Sequence, residues 1–196
     1  MDLEQQRYHA LINQVKTREK EMKTFLSFLE EETSWLISPA STRFHNNFEQ
    51  GLLRHSIAVA ELLLQLKELL SPDINNESCV IVGLFHDVGK VGLPGKPLYL
   101  PNTEIRSSHG ERKYIVNPKL VYMGLGVRSL LLVNKFVSLS EDEAQAIVYH
   151  DGQYIKENKY IAHHEEPLTL LLSYADNWAG EVLEKGKLKQ KENEME

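Results

Sequence analysis

At 196 residues, with 42% hydrophobic and 26% charged side chains, the chain has the length and balance of one globular domain with a substantial core. Its formal net charge of −6 argues against a general electrostatic grip on nucleic acid or on an acidic membrane, while leaving room for a local basic pocket. No apolar run suits a bilayer, no secretory leader is evident, and the lone Cys79 has no disulfide partner, so the expectation is a cytoplasmic enzyme or binding domain.

Tyr8, Leu11, Ile12, Val15, Met22, Phe25, Leu26 and Leu29 recur at three- and four-residue spacing, which predicts one long first helix ending near Ser38-Pro39. Its apolar stripe reads as core packing or, equally, as a dimer surface. A polar connector leads to a second helix with Leu52, His55, Val59, Leu62, Leu63, Leu66 and Leu70, stopped at Ser71-Pro72. A third, apolar on most sides and so central, runs from about Glu77 to Val88 and closes at Gly89.

From Gly92 to Pro118 the composition changes to prolines, glycines and two short β-forming runs, Leu98-Tyr99-Leu100 and Lys113-Tyr114-Ile115-Val116. This predicts a long loop with room for a small hairpin. Helix returns over about Leu125 to Phe136. Ser140 and Glu143 then form a capping box for a helix reaching His150, and Pro167 opens the last core helix with Leu168, Leu171, Leu172, Ala175 and Ala179. From Lys185 onward the chain is charged and is expected to fray. The expected organisation is an N-terminal helix and connector over 1–43, a main domain over 44–182 and a charged tail over 183–196.

Three of these helices carry polar groups on apolar faces. His55 shares its face with Leu52, Val59, Leu62 and Leu63; His86 and Asp87 follow the run Val80 to Phe85; Asp176 lies one turn after Leu172. Burying a polar group without a partner costs roughly 2–7 kcal/mol, and more for an ion. A divalent cation is the simplest shared compensator, and a mixed imidazole–carboxylate set suits Mn, Fe, Co, Ni or Zn better than Ca.

The order and local contexts, Gly51-Leu52-Leu53-Arg54-His55-Ser56, Phe85-His86-Asp87-Val88-Gly89-Lys90 and Ala175-Asp176-Asn177, resemble the HD superfamily of metal-dependent phosphohydrolases across roughly Phe44 to Gly180. The resemblance implies an all-α HD-domain helical bundle with a long active-site loop. It implies that His55, His86, Asp87 and Asp176 bind one divalent ion (Mn, Fe, Co, Ni, Zn or Mg), with Lys90 facing a substrate phosphate. Asp87 would double as proton acceptor and His150 as proton donor to the leaving oxygen. Two-metal branches carry a further histidine in a Gly-His-Gly segment. Here Gly124-Leu125-Gly126-Val127-Arg128-Ser129 puts Leu125 in that place, favouring one metal, with His150 as donor or weak ligand; a second metal using His150 stays open. A small nucleotide-like phosphate ester is the expected substrate. A 3'-5' nuclease on short nucleic acid, a cyclic-nucleotide phosphodiesterase and a catalytically reduced sensor module are the alternatives, and a homodimer stays open.

In the long loop His109 and Arg112, together with Arg106 and Lys113, are candidates to meet an anionic substrate. Asp151 and Asn177 are candidates to hold His150 and the region of the last ligand in place. Arg54 points around the helix away from His55. His163-His164-Glu165-Glu166 reads as a solvated helix entry, since adjacent side chains on a helix diverge.

Overall fold

The computed structural model describes residues 3–42, 46–103 and 113–184. Its helices are α1 (Leu3–Ile12), α2 (Glu19–Glu32), α3 (Gly51–Leu70), α4 (Asn76–Phe85), α5 (Leu125–Asn134), α6 (Glu141–Tyr149) and α7 (Pro167–Trp178). Short 3-10 turns cover Val88–Val91, Gly152–Tyr154 and Lys156–Ile161, and a π turn over Ala179–Leu183 continues α7. The two β-forming runs pair as an antiparallel hairpin, β1 (Tyr99–Pro101) with β2 (Tyr114–Val116), in the register Leu100 opposite Ile115. The architecture is all-α with one small hairpin. No helix among the described residues is long and apolar enough to cross a membrane.

The predicted single first helix is two. Residues 13–18 break it because Glu77, in the first turn of α4, supplies the acceptors that helical carbonyls would otherwise provide. Its Oε2 accepts from the backbone N–H groups of Lys16 and Thr17 at 2.8 Å each, and its Oε1 from that of Arg18 at 3.2 Å. The apolar stripe of α1 and α2 belongs to the core: Tyr8, Leu11, Met22, Phe25 and Leu29 are buried with residues of α3 and α4. Phe25 meets Phe85, the last residue of α4, edge-on at 5.0 Å between ring centroids. The predicted third helix ends earlier than Val88, at Phe85, and the chain turns through His86 and Asp87 into the 3-10 turn.

α3 and α4 form the centre of the bundle. Their crossing is tight at Gly83, where an added Cβ would come within 2.6 Å of the Ala60 Cα. Asn75 caps α4 by accepting from the Glu77 N–H at 2.8 Å, and Ser140 with Glu143 forms the capping box predicted for α6. These caps fix where the two helices start, and so where their opposite ends deliver His86, Asp87 and His150.

Candidate metal centre

Four helices bring polar groups to one buried point. His55 comes from the second turn of α3, His86 and Asp87 from the turn after α4, His150 from the C-cap of α6 and Asp176 from α7. The three histidines and Asp87 are at most 3% exposed. His55 Nε2 lies 3.0 Å from Asp176 Oδ1 and 3.7 Å from Asp87 Oδ2. His86 Nε2 lies 3.7 Å from Asp87 Oδ2 and 3.8 Å from Asp176 Oδ1, and His150 Nε2 lies 3.6 Å from Asp87 Oδ1.

Each imidazole is held from behind. His86 Nδ1 donates to the Gly83 carbonyl at 2.9 Å, and His150 Nδ1 to the Ile147 carbonyl at 2.8 Å. A carbonyl only accepts, so Nδ1 carries the proton in both rings, and in the neutral ring Nε2 presents its lone pair to the centre. His55 Nδ1 is 2.8 Å from Glu184 Oε1, with the same consequence. Three basic nitrogens thus face two carboxylates across a volume whose ligand atoms lie within 4.8 Å of one another in two overlapping groups: His55, His86 and Asp87; His86, His150 and Asp176.

Such an arrangement fits a divalent cation. His86 Nε2 is fully buried with no hydrogen-bond partner among the described residues, and a lone pair turned toward other acceptors is costly unless a positive centre sits between them. The donor set is nitrogen and oxygen with bound carbonyls behind the rings, the arrangement that orients metal-ligating histidines elsewhere.

In the protein alone the charges compensate unevenly. Burial pushes His86 down to about 4, against the pull of Asp87. Burial would also depress His55 and His150. For His55 the carboxylates of Asp176 and Glu184 win and raise it to about 10; for His150 those of Asp87 and Asp151 raise it to about 9. Asp87 and Asp176 are held well below the carboxylate range, their burial being outweighed by Lys90 and His86 for the first and by His55 and His86 for the second. Lys90 forms a buried ion pair with Asp87 Oδ2, which with the pull of Tyr99 overcomes desolvation and raises its pKa.

His55, His86, Asp87, Lys90, His150 and Asp176 are therefore neighbours, as the sequence patterns predict. His109 and Arg112 lie outside the described residues. Two expected supports differ. Asp151 does not orient the His150 ring: its Oδ2 stands 3.7 Å from Nε2, on the side of the centre, and the Ile147 carbonyl does the orienting. Asn177 donates to the Ser173 carbonyl of its own helix at 2.7 Å instead of bracing the centre. Arg54 is surface-exposed, 4.0 Å from Glu4, and His163 and His164 are exposed. Glu184 was hidden in the sequence. It stands at the edge of a charged run and reads as tail, yet the π turn folds it inward until only 7% of its side chain is exposed. A pattern of Ala179, Gly180 and Leu183 continuing the register of α7 was the available signal.

A family model described as HD domain matches residues 52–178. Neither the curated proteins nor the solved structures contain a match to the chain.

Proposed function

The chain belongs to the HD domain family, and we propose that it is a metal-dependent phosphohydrolase acting on a phosphate ester of a small, nucleotide-like molecule. The observation supporting this most directly is the approach of three imidazole nitrogens and two carboxylates to one buried point, with a lysine beside them.

A divalent cation held by His55, His86, Asp87 and Asp176 would supply positive charge for the phosphoryl oxygens and lower the pKa of an attacking water. Lys90 adds a second positive charge at the same end of the site, help typically worth a few kcal/mol per group. Asp87 accepts the proton of the attacking water through Oδ1, the oxygen that Lys90 does not cover. His150 protonates the leaving oxygen. Its Nδ1 is committed to Ile147, so only Nε2 faces the reaction, and Asp87 and Asp151 favour a proton there. The net charge of −6 supports a small anion over a nucleic-acid strand as substrate.

One observation favours a second reading of His150. It shares a ligand-sized group with His86 and Asp176, which suits a fifth ligand as well as a proton donor. The two are separated by His150→Ala: a proton donor leaves metal content intact and removes turnover, whereas a ligand lowers metal content as well.

The decisive experiment joins metal analysis of the purified protein to a hydrolysis panel of nucleotides, cyclic nucleotides, a short single strand and a generic phosphodiester, each with Mn, Fe, Co, Ni, Zn and Mg. Bound cation and release of phosphate from a nucleotide are the expected results. Metal retention without hydrolysis of any panel member leaves a binding module. Absence of metal under every condition overturns the proposal.

A further inference from the structure

Among the described residues, the buried Lys67 and the mostly buried Arg18 and Lys90 each come with a carboxylate: Arg18 has Glu77 and Glu143, Lys67 has Glu68, and Lys90 has Asp87. Arg128 departs from that rule. It is 5% exposed, and no acidic group among the described residues lies within ion-pair distance of it. One guanidinium nitrogen donates to the Val121 carbonyl at 2.9 Å, while Nε is buried without an acceptor among the described residues. Burial lowers the pKa of the guanidinium. Nothing in the proposed hydrolytic machinery uses this charge.

A separate observation concerns the helix that carries it. α5 begins at Leu125 behind Gly124, which has no side chain to cap the first-turn N–H groups. Arg128 lies in that first turn, and its contact with Val121, ahead of the helix, shows the guanidinium reaching back to the N-terminal end. Among the described residues, a guanidinium with no acid partner and a helix end with no side-chain cap therefore lie together. That place adjoins the metal centre without sharing its groups. The Gly89 N–H donates to Ser129 Oγ at 2.9 Å, a Cβ at Gly89 would stand 3.0 Å from the Arg128 Cβ, and Lys90 is the next residue.

We propose that Arg128 and the N-terminus of α5 form a binding site for a tetrahedral oxyanion, a phosphate group, beside the metal centre. The guanidinium fork matches two phosphate oxygens, and first-turn N–H groups match a third. The phosphate belongs either to the substrate, at a position other than the one cleaved, or to free inorganic phosphate. Only the first use rests on the hydrolytic reading; occupation of the site needs no metal.

The test follows the side-chain Nε–Hε resonance of Arg128 by 15N NMR in the metal-free, full-length protein, the signal being identified by its disappearance in R128K. The protein is titrated in parallel with inorganic phosphate and with adenosine monophosphate. A saturable shift of that resonance is the expected result. Half-saturation at lower concentration with the nucleotide assigns the site to a substrate phosphate; half-saturation at equal or lower concentration with inorganic phosphate assigns it to the free ion. A resonance that moves with neither overturns the proposal. R128Q supplies an independent reading: phosphate should raise the thermal midpoint of the wild-type protein, and half-saturation of that effect should shift about tenfold or more upward in the variant. An identical phosphate response in R128Q also overturns it. A protein that holds no metal yet shows the Arg128 shift keeps this site and loses only the hydrolytic reading.

Discussion

Helices α4 and α6 each run between two buried polar clusters, and the clusters are built in opposite ways. At their N-terminal ends Arg18 lies between Glu77 and Glu143. Arg18 Nε donates to Glu77 at 2.8 Å, its terminal nitrogens donate to Glu143 at 2.7 Å each, and one of them also reaches the Ser138 carbonyl at 2.9 Å. Backbone N–H groups of residues 16–18 donate to Glu77 and that of Ser140 to Glu143. At the other ends, roughly 13 Å away by helical rise, His86, Asp87 and His150 join His55 and Asp176, and His86 Nε2 finds no partner among the described residues. Burial of charge is common to both. Completeness is what separates them: the first cluster closes on itself and holds helices together, while the second leaves the buried Nε2 of His86 without a hydrogen-bond partner among the described residues, a gap that a bound cation would fill.

Four substitutions press on that contrast, and the largest effect belongs at the open end. Asp87→Ala should abolish metal retention and cut phosphate release by about a thousandfold or more, as measured by metal analysis and the hydrolysis panel; full activity would mean the carboxylate has no place in the chemistry. At the closed end, Arg18→Met strands two buried carboxylates and should destabilise the fold by about 3–5 kcal/mol in chemical denaturation, while whatever folds still binds metal. If instead Arg18→Met strips the metal and leaves stability alone, the division into two kinds of cluster collapses.

Glu184→Gln probes the support behind His55. It keeps a hydrogen-bond acceptor but removes the charge at Nδ1, and metal affinity should fall about 10- to 100-fold with little change in unfolding free energy. Ser140→Ala removes half of the α6 capping box and should cost about 1 kcal/mol, read as a shift of the denaturation midpoint.

Acid gives a further comparison. Burial alone would raise Glu77 and Glu143, but Arg18 and the backbone donors outweigh it and hold both below their ordinary value of 4.5. Depressed carboxylates contribute stability that is present above that value and lost as pH falls through the lower, folded one. Unfolding free energy should therefore decline on acidification below about pH 4.5, and the decline should be shallower in Arg18→Met. Equal slopes would remove this cluster as the source.

The sequence made one of these clusters far more legible than the other. His55, His86, Asp87 and Asp176 stand out because helical spacing places them among leucines and valines, where polar groups need a reason. The hairpin and the α6 cap were legible too, since both depend on residues close in the chain. The break between α1 and α2 was not, because the acceptor that makes it possible is Glu77, about sixty positions downstream. Nor was the orientation of His150: a backbone carbonyl holds its ring, and carbonyls leave no trace in residue identity. Glu184 was missed for a third reason, that a carboxylate at the start of a charged run looks the same whether it faces water or an imidazole.

The contact between Gly83 and Ala60 has a consequence beyond packing. His86 follows Gly83 by about one turn, just past the end of α4, and His55 precedes Ala60 by just over one turn of α3, so the gap at that crossing bears on the span between two ring nitrogens. Gly83→Ala would force the helices apart, an added Cβ having only 2.6 Å to the nearest backbone atom. A wider cage favours a larger ion over a smaller one. For a cation held in that cage, the interior crossing would act as a gauge for ionic radius, adjustable from a position that touches no ligand.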